Sequence, residues 1–503
     1  MPVKRRDLLT GLGAFVLAGD ATDRPRHAGQ RYPPGRPLPE STNVRLSPFN
    51  ATGDGRTDDT RAFTSARDAA GANGLVVVPA GTYVLSGLAL NVVGQTWQLL
   101  GGATLFLKPS ANASLLRITA SHVTVEGPGV LDGNLANQSD RRAGISVISA
   151  DHVSFRNLTA RNLNGYGFLF ANCNYPVVTD CLVTNTWYWA VTFFAAPATP
   201  FYGAVVTNCR ILNYDRGTSS VGGCVAFTGR NGGGWARDAI VGNNVLESYP
   251  VHTGEHGLPD EPYGVYGSYV QGLTIDGNII RGGTMGISLP QSIGVTISGN
   301  YLEGWEAYGI EIPACSNAAV SGNTLMDTSP RAPTYASVNA LIVGSTADHV
   351  SLHGNTITHI AIAPGGLPAV LIGGEGPGTS DVSVTGNTIS KHASGGSAID
   401  IASNVAHITI SNNVIDCNAV NADGIWLETS DSYGTANGRA IVGNTIHNYG
   451  NRSAILVGTI GQATALIDYA TVQGNIFHAG AKGITVQAGH WGAHTSIANN
   501  VGP

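Results

Sequence analysis

Short runs of alternating apolar and polar residues, each closed by a Gly-Asn pair, recur along most of the chain. They are Val241-Gly-Asn243, Ile275-Asp-Gly-Asn278, Ile297-Ser-Gly-Asn300, Val320-Ser-Gly-Asn323, Leu352-His-Gly-Asn355, Val384-Thr-Gly-Asn387, Val442-Gly-Asn444 and Val472-Gln-Gly-Asn475. Alternation with period two predicts strands. A fixed repeat of such strands predicts a solenoid, in which each coil buries its apolar face only by stacking on its neighbours. The tightest spacings, 22 residues from Asn278 to Asn300 and 23 from Asn300 to Asn323, set one coil at about that length. Longer intervals therefore hold loops. An Asn at one turn of every coil can hydrogen-bond up and down the stack and satisfy buried turn amides, so this Asn is assigned a structural role.

A second strand in each coil has the form small-apolar-x-apolar, as in Gly167-Phe-Leu-Phe170, Gly286-Ile-Ser-Leu289, Gly309-Ile-Glu-Ile312, Ala398-Ile-Asp-Ile401 and Gly424-Ile-Trp-Leu427. Strand phasing puts the apolar pair inside and x outside. The x residues then form one outward column: Leu169, Thr192, Ala226, Tyr266, Ser288, Glu311, Ile342, Leu371, Asp400, Trp426, Leu456 and Thr485.

Ahead of the repeats, Thr52-Gly-Asp-Gly-Arg-Thr-Asp-Asp-Thr-Arg-Ala-Phe63 leads into a helix that Thr57 or Asp58 can cap, with Ala62, Phe63, Ala66 and Ala69 on its apolar face. Gly74-Leu-Val-Val-Val-Pro-Ala-Gly-Thr-Tyr83 follows as a strand and turn. Over Phe49 to Tyr83 this segment resembles the entry module of the pectate-lyase-like superfamily. The resemblance implies an all-β fold, a single-stranded right-handed parallel β-helix with a short N-terminal capping helix that closes a bare sheet edge. It also implies that the outward column, walled by loops, is a substrate groove. The β-helix domain is expected over 45–503, with 45–90 as its cap module.

The first 21 residues read as an export signal. Lys4-Arg5-Arg6 precedes the apolar stretch Leu8 to Ala18, too short for a folded membrane span, and the paired arginines resemble a twin-arginine signal. Residues 22–44, rich in Pro and Arg, read as a linker. An exported location, periplasmic or extracellular, follows, with no membrane association once the signal is removed.

Composition narrows the partners. Gly is 67 of 503 residues, charged residues are 12% and the net charge is −6, so no basic field is present to attract nucleic acid. A carbohydrate chain is the expected partner. The six cysteines fit no metal spacing. Cys181 and Cys209 fall at equivalent positions of successive coils, as a bridge or as two stacked thiols. No cofactor is expected; calcium is left open, although its Gly-Gly-x-Gly-x-Asp repeat is missing.

Two long intervals, Cys209 to Asn243 and Asn243 to Asn278, mark insertions. The second carries His252, His256, Asp260, Glu261 and Tyr266, which with Glu311 two coils on are the catalytic candidates, because glycoside hydrolysis needs paired carboxylates across a bound sugar and His can tune the proton. An oligomer contact is the other use of such a loop. Substrate-contact candidates are Glu306, Ser288, Asp215, Arg216 and a second cluster of Asp400, Trp426 and Glu428, in which the indole could stack on a sugar face.

Two further resemblances are partial. Gly127-Pro-Gly129 and Val130-Leu-Asp132-Gly133 resemble an early polygalacturonase coil, but the later signatures of that family are not found. Gly165-Tyr166-Gly167-Phe168 resembles the alginate epimerase motif, but Leu169-Phe170-Ala171 stands where Asp-Pro-His would follow. The chain also has no lysine between Lys108 and Lys391 to neutralise a uronate. The first functional reading is a glycoside hydrolase or transglycosidase. A polyuronide lyase or C5-epimerase using Tyr, His and Arg is the second, and a non-catalytic glycan-binding β-helix the third.

Overall fold

A typical coil of the protein is three short strands joined by tight turns, many of which seat a residue with positive φ. The computed structural model describes residues 41–140, 142–215, 222–250, 262–327, 339–359, 367–374, 378–392, 395–418, 420–429, 436–458, 466–487 and 491–502. The expected export signal and residues 22–40 of the linker lie outside them.

One coil illustrates the rest. Thr274–Asp276 lies on the first face, Ile279–Gly282 on the second and Met285–Ser288 on the third. The next coil repeats this as Thr296–Ser298, Tyr301–Glu303 and Tyr308–Glu311, paired parallel with Ile275 opposite Ile297, Ile280 opposite Leu302 and Ile287 opposite Ile310. The first face is a 17-stranded sheet. The second and third join into a 29-stranded one, because Thr445–Gly458 and Ile476–Val486 run across both without a break. The first face begins at Thr42–Asn43, paired with Val76 and Val77, so the stack starts ahead of the boundary expected at residue 45.

Inward positions carry Ile, Val, Leu and Phe in columns. Phe155, Phe170, Phe193 and Phe227 are buried, and Phe170–Phe193 and Phe193–Phe227 stack at 5.0 Å. Burying such a side chain contributes about 1.5–3 kcal/mol, repeated on every rung.

The asparagine ladder runs Asn244, Asn278, Asn300, Asn323, Asn355, Asn387, Asn413, Asn444, Asn475, Asn500. The member expected at Asn243 is Asn244. Asn243 holds φ 56° and fills the left-handed turn seat that Gly277 fills one coil later. Asn413, preceded by the left-handed Asn412, escaped the Gly-Asn pattern for the same reason. Each rung donates its amide N–H and its Nδ2 to the next Oδ1, as Asn278 does to Asn300 at 2.9 Å each. Cys209 begins the ladder by donating its amide to Asn244 Oδ1 at 2.8 Å. All six cysteines are free and buried, so Cys181 and Cys209 are stacked thiols.

The helix α1 spans Thr60–Ala70 and buries Phe63 and Ala66, with Phe63 against Tyr83 at 5.1 Å. Ala62 and Ala70 pack beside them, whereas Ala69, assigned to the apolar face, is exposed. The helix starts later than expected. Its cap residue is Asp59, whose carboxylate instead accepts the amides of Thr52 and Gly53 at 2.7 and 3.0 Å, while Asp58 accepts the Thr60 amide at 3.1 Å. At the other end the buried Gln95 donates to the carbonyls of Arg67 and Gly71, which no longer have intrahelical partners.

Candidate functional site: a column on the third face

Strand register carries the whole predicted column. Leu169 pairs with Thr192, then Ala226, Tyr266, Ser288, Glu311, Ile342, Leu371, Asp400, Trp426, Leu456 and Thr485 follow in turn, and Ser146 extends it upstream. The Glu311 and Asp400 clusters thus share one column, three rungs or about 14 Å apart.

Outward does not mean exposed here. Thr192, Ala226, Ser288, Ile342 and Asp400 are buried, correcting the expectation of an open face. Rungs only about 4.8 Å apart let a large side chain shade the small one beside it, and Tyr266 and Trp426 flank Ser288 and Asp400.

At the Glu311 end, Ser288 Oγ donates to Glu311 Oε2 at 2.8 Å, and Glu311 is half-buried. Tyr266 belongs to an aromatic pad, 5.9 Å from Trp189 and 5.4 Å from Tyr263 between ring centroids. Glu306 is buried, its amide tied to the Gly283 carbonyl. His252, His256, Asp260, Glu261 and Arg216 lie outside the described residues. Of Asp215 only its strand is described, paired through Asp215 with Pro250.

At the Asp400 end, Ile399, Ile401, Ile425 and Leu427 point inward, leaving Asp400, Trp426 and Glu428 on the outer side of adjacent rungs. Trp426 is half-buried rather than open, its indole N–H donating to the Gly458 carbonyl at 3.2 Å, which fixes the ring. Burial raises the Asp400 carboxyl well above the usual range, and the neighbouring Glu428 and Asp423 push it in the same direction. Burial also raises Glu428, opposed by Arg439.

Arg439 escaped the sequence reading. It is 1% exposed and donates to the carbonyls of Glu428, Ala402, Ser403 and Val405. Its burial pulls the guanidinium down to about 10, against the pull of Glu428 and Asp400. The signal was present: Arg439 alternates with the inward Ile441, so period two puts it inside. Asp423, beside them, is held by the Ser453 amide at 2.8 Å and by Arg452 at 3.3 Å.

Two carboxyl groups on neighbouring rungs, Asp400 raised well above its usual range and Glu428 raised against the opposing pull of Arg439, can act as proton donor and carboxylate in one site. Among the described residues no cluster of His, Cys, Asp or Glu is arranged to hold a metal, and no helix is long and apolar enough to cross a membrane.

This architecture is that of a parallel β-solenoid, and the chain belongs to the family described as the right-handed β-helix region, whose sequence profile matches residues 202–363 and 263–501. Among solved structures it is similar to the pre-mature gene product 12 of bacteriophage phi29, with 13% identity, 91% of this chain and 73% of that chain covered and a TM-score of 0.50. The family 28 exopolygalacturonase of Yersinia enterocolitica is similar at 13% identity, over 89% of this chain and 78% of that one, TM-score 0.44. Geobacillus virus E2 ORF18 matches at 14% identity over 63% of this chain, TM-score 0.43, and the match spans 60% of its own length. At these identities the likeness is one of fold.

Proposed function

We propose that the protein is an exported carbohydrate-active enzyme, a glycoside hydrolase whose acid and carboxylate are Asp400 and Glu428. The observation that carries this reading is the placement of these two side chains on adjacent rungs beside Trp426, close enough to Arg439 for its charge to act on both. Asp400, held neutral, protonates the leaving glycosidic oxygen. Glu428, less strongly raised because Arg439 opposes its burial, serves as base or nucleophile, the division of labour that glycoside hydrolysis requires. Trp426 offers a fixed aromatic face for a sugar ring. The centre thus moves three rungs from Glu311, which with Ser288 and Tyr266 becomes the stretch that contacts more distant sugars. Export agrees with Arg5-Arg6 ahead of the apolar stretch.

The test is incubation with neutral and uronic polysaccharides, following reducing ends and unsaturated products separately. New reducing ends that disappear in Asp400→Asn and Glu428→Gln support the proposal. Unsaturated products, or hydrolysis that survives both substitutions, would replace it with a lyase or with a centre elsewhere on the column.

A further inference from the structure

A cavity of about 400 Å³ opens at the corner between the second and third faces, in coils well before the acidic column. Phe106 and Trp187 line it together with Asp132, Asn162 and Asn185. These polar groups form a relay. Asn185 Nδ2 donates to Asn162 Oδ1 at 2.6 Å, and Asn162 Nδ2 donates to both Asp132 oxygens at 3.2 and 3.3 Å. Asp132 also accepts the Asn134 amide at 3.0 Å and Arg161 Nε at 2.7 Å.

The relay leaves capacity unused. Four contacts reach the Asp132 carboxylate, but Asn185 Nδ2 keeps a second hydrogen beyond its bond to Asn162. Asn185 Oδ1 is buried with no partner among the described residues, an arrangement that is unfavourable unless something completes it. Acceptors and donors lining one cavity with an indole match the vicinal hydroxyls and the apolar face of a pyranose. Arg161 balances the charge of Asp132, so a neutral sugar suits the cavity better than a uronate or an amino sugar.

We propose that this corner pocket is a second sugar site, holding one neutral pyranose of a glycan. Asp132 shares its coil with Ser146, nine rungs before Asp400, which puts the pocket about 40 Å from the acidic pair along the axis. Trp187 directly precedes Tyr188 and Trp189, whose rings join the aromatic pad through Tyr166 at 5.6 Å and Tyr266 at 5.9 Å. A chain gripped in the pocket therefore has a path onto the column. The inference rests on the reading of the protein as glycan-handling, but not on Asp400 being its catalytic acid.

The experiment is saturation-transfer NMR on the full chain with D-glucose, D-galactose, D-mannose, L-rhamnose and N-acetylglucosamine. At least one sugar should give a saturable signal that weakens about tenfold in Trp187→Ala, as expected for loss of an aromatic contact, and in Asn185→Ala, while Asp400→Asn leaves it intact. Circular dichroism checks that each variant is folded, and either one suffices. No signal, or one indifferent to both corner substitutions, overturns the pocket. A signal lost only in Asp400→Asn overturns the pocket while supporting the acidic pair; a Trp187-dependent signal without any hydrolysis supports the pocket and counts against the pair.

Discussion

Lys391 is fully buried, and its Nζ donates to the Leu367 carbonyl at 2.8 Å. It lies on the rung after the buried His359, beside Cys417, whose thiol is pushed up to about 12 by burial. Burial pulls the ammonium from 10.5 down to about 8, with Cys417 opposing. A fall of that size corresponds to about 3 kcal/mol of disfavoured charge at neutral pH. The direction follows from proton counts. Between about 8 and 10.5 the unfolded chain carries the proton and the folded chain does not, so stability rises with pH across that window and the penalty is constant below it. Lys391→Met keeps the volume and removes the charge, at the expense of one hydrogen bond of about 1 kcal/mol. The variant is expected to be about 2 kcal/mol more stable at pH 7, with the gain disappearing near pH 10.5. Denaturant midpoints of both proteins, read by tryptophan fluorescence at the two pH values, measure this difference. Equal midpoints at pH 7, or a gain that persists unchanged near pH 10.5, would refute the buried charge.

Asn300→Ala severs the bonds from Asn278 N–H and Nδ2, and those to the Ile275 carbonyl and Asn323, all 2.9 Å. The expected loss is about 3–5 kcal/mol, with faster amide exchange at Asn278, because buried donors are left unpaired. Asp400→Asn should stabilise at pH 7. The raised carboxyl favours the fold below 3.8 and loses that advantage as pH rises, so the variant's gain should vanish in acid unfolding curves below pH 4. Gly286→Val places a Cβ 2.5 Å from the Gly309 carbonyl and 2.7 Å from Leu302, so a destabilisation of about 2–4 kcal/mol should appear as a lower melting temperature.

Period-two phasing and a recurrent Asn are local properties, and they determined the solenoid, its inward columns and the outward column rung by rung. The sheet obeys them because parallel stacking forces equivalent positions into register. The ladder slipped by one at Asn243 because Gly and Asn both suit a left-handed turn, so the chain must be seen folded to tell seat from rung. Burial was not legible: whether Asp400 sits open or shaded depends on Trp426 and Glu428, brought alongside from 26 and 28 residues further on. Nor was the nearness of Arg439 to those carboxylates, since Arg439 belongs to a first-face strand and they to the third. Electrostatics at a site sums over groups from several coils and over the solvent they exclude. The amino-acid order states which side of a strand each residue takes; only the closed coil decides which charges then share one dry corner.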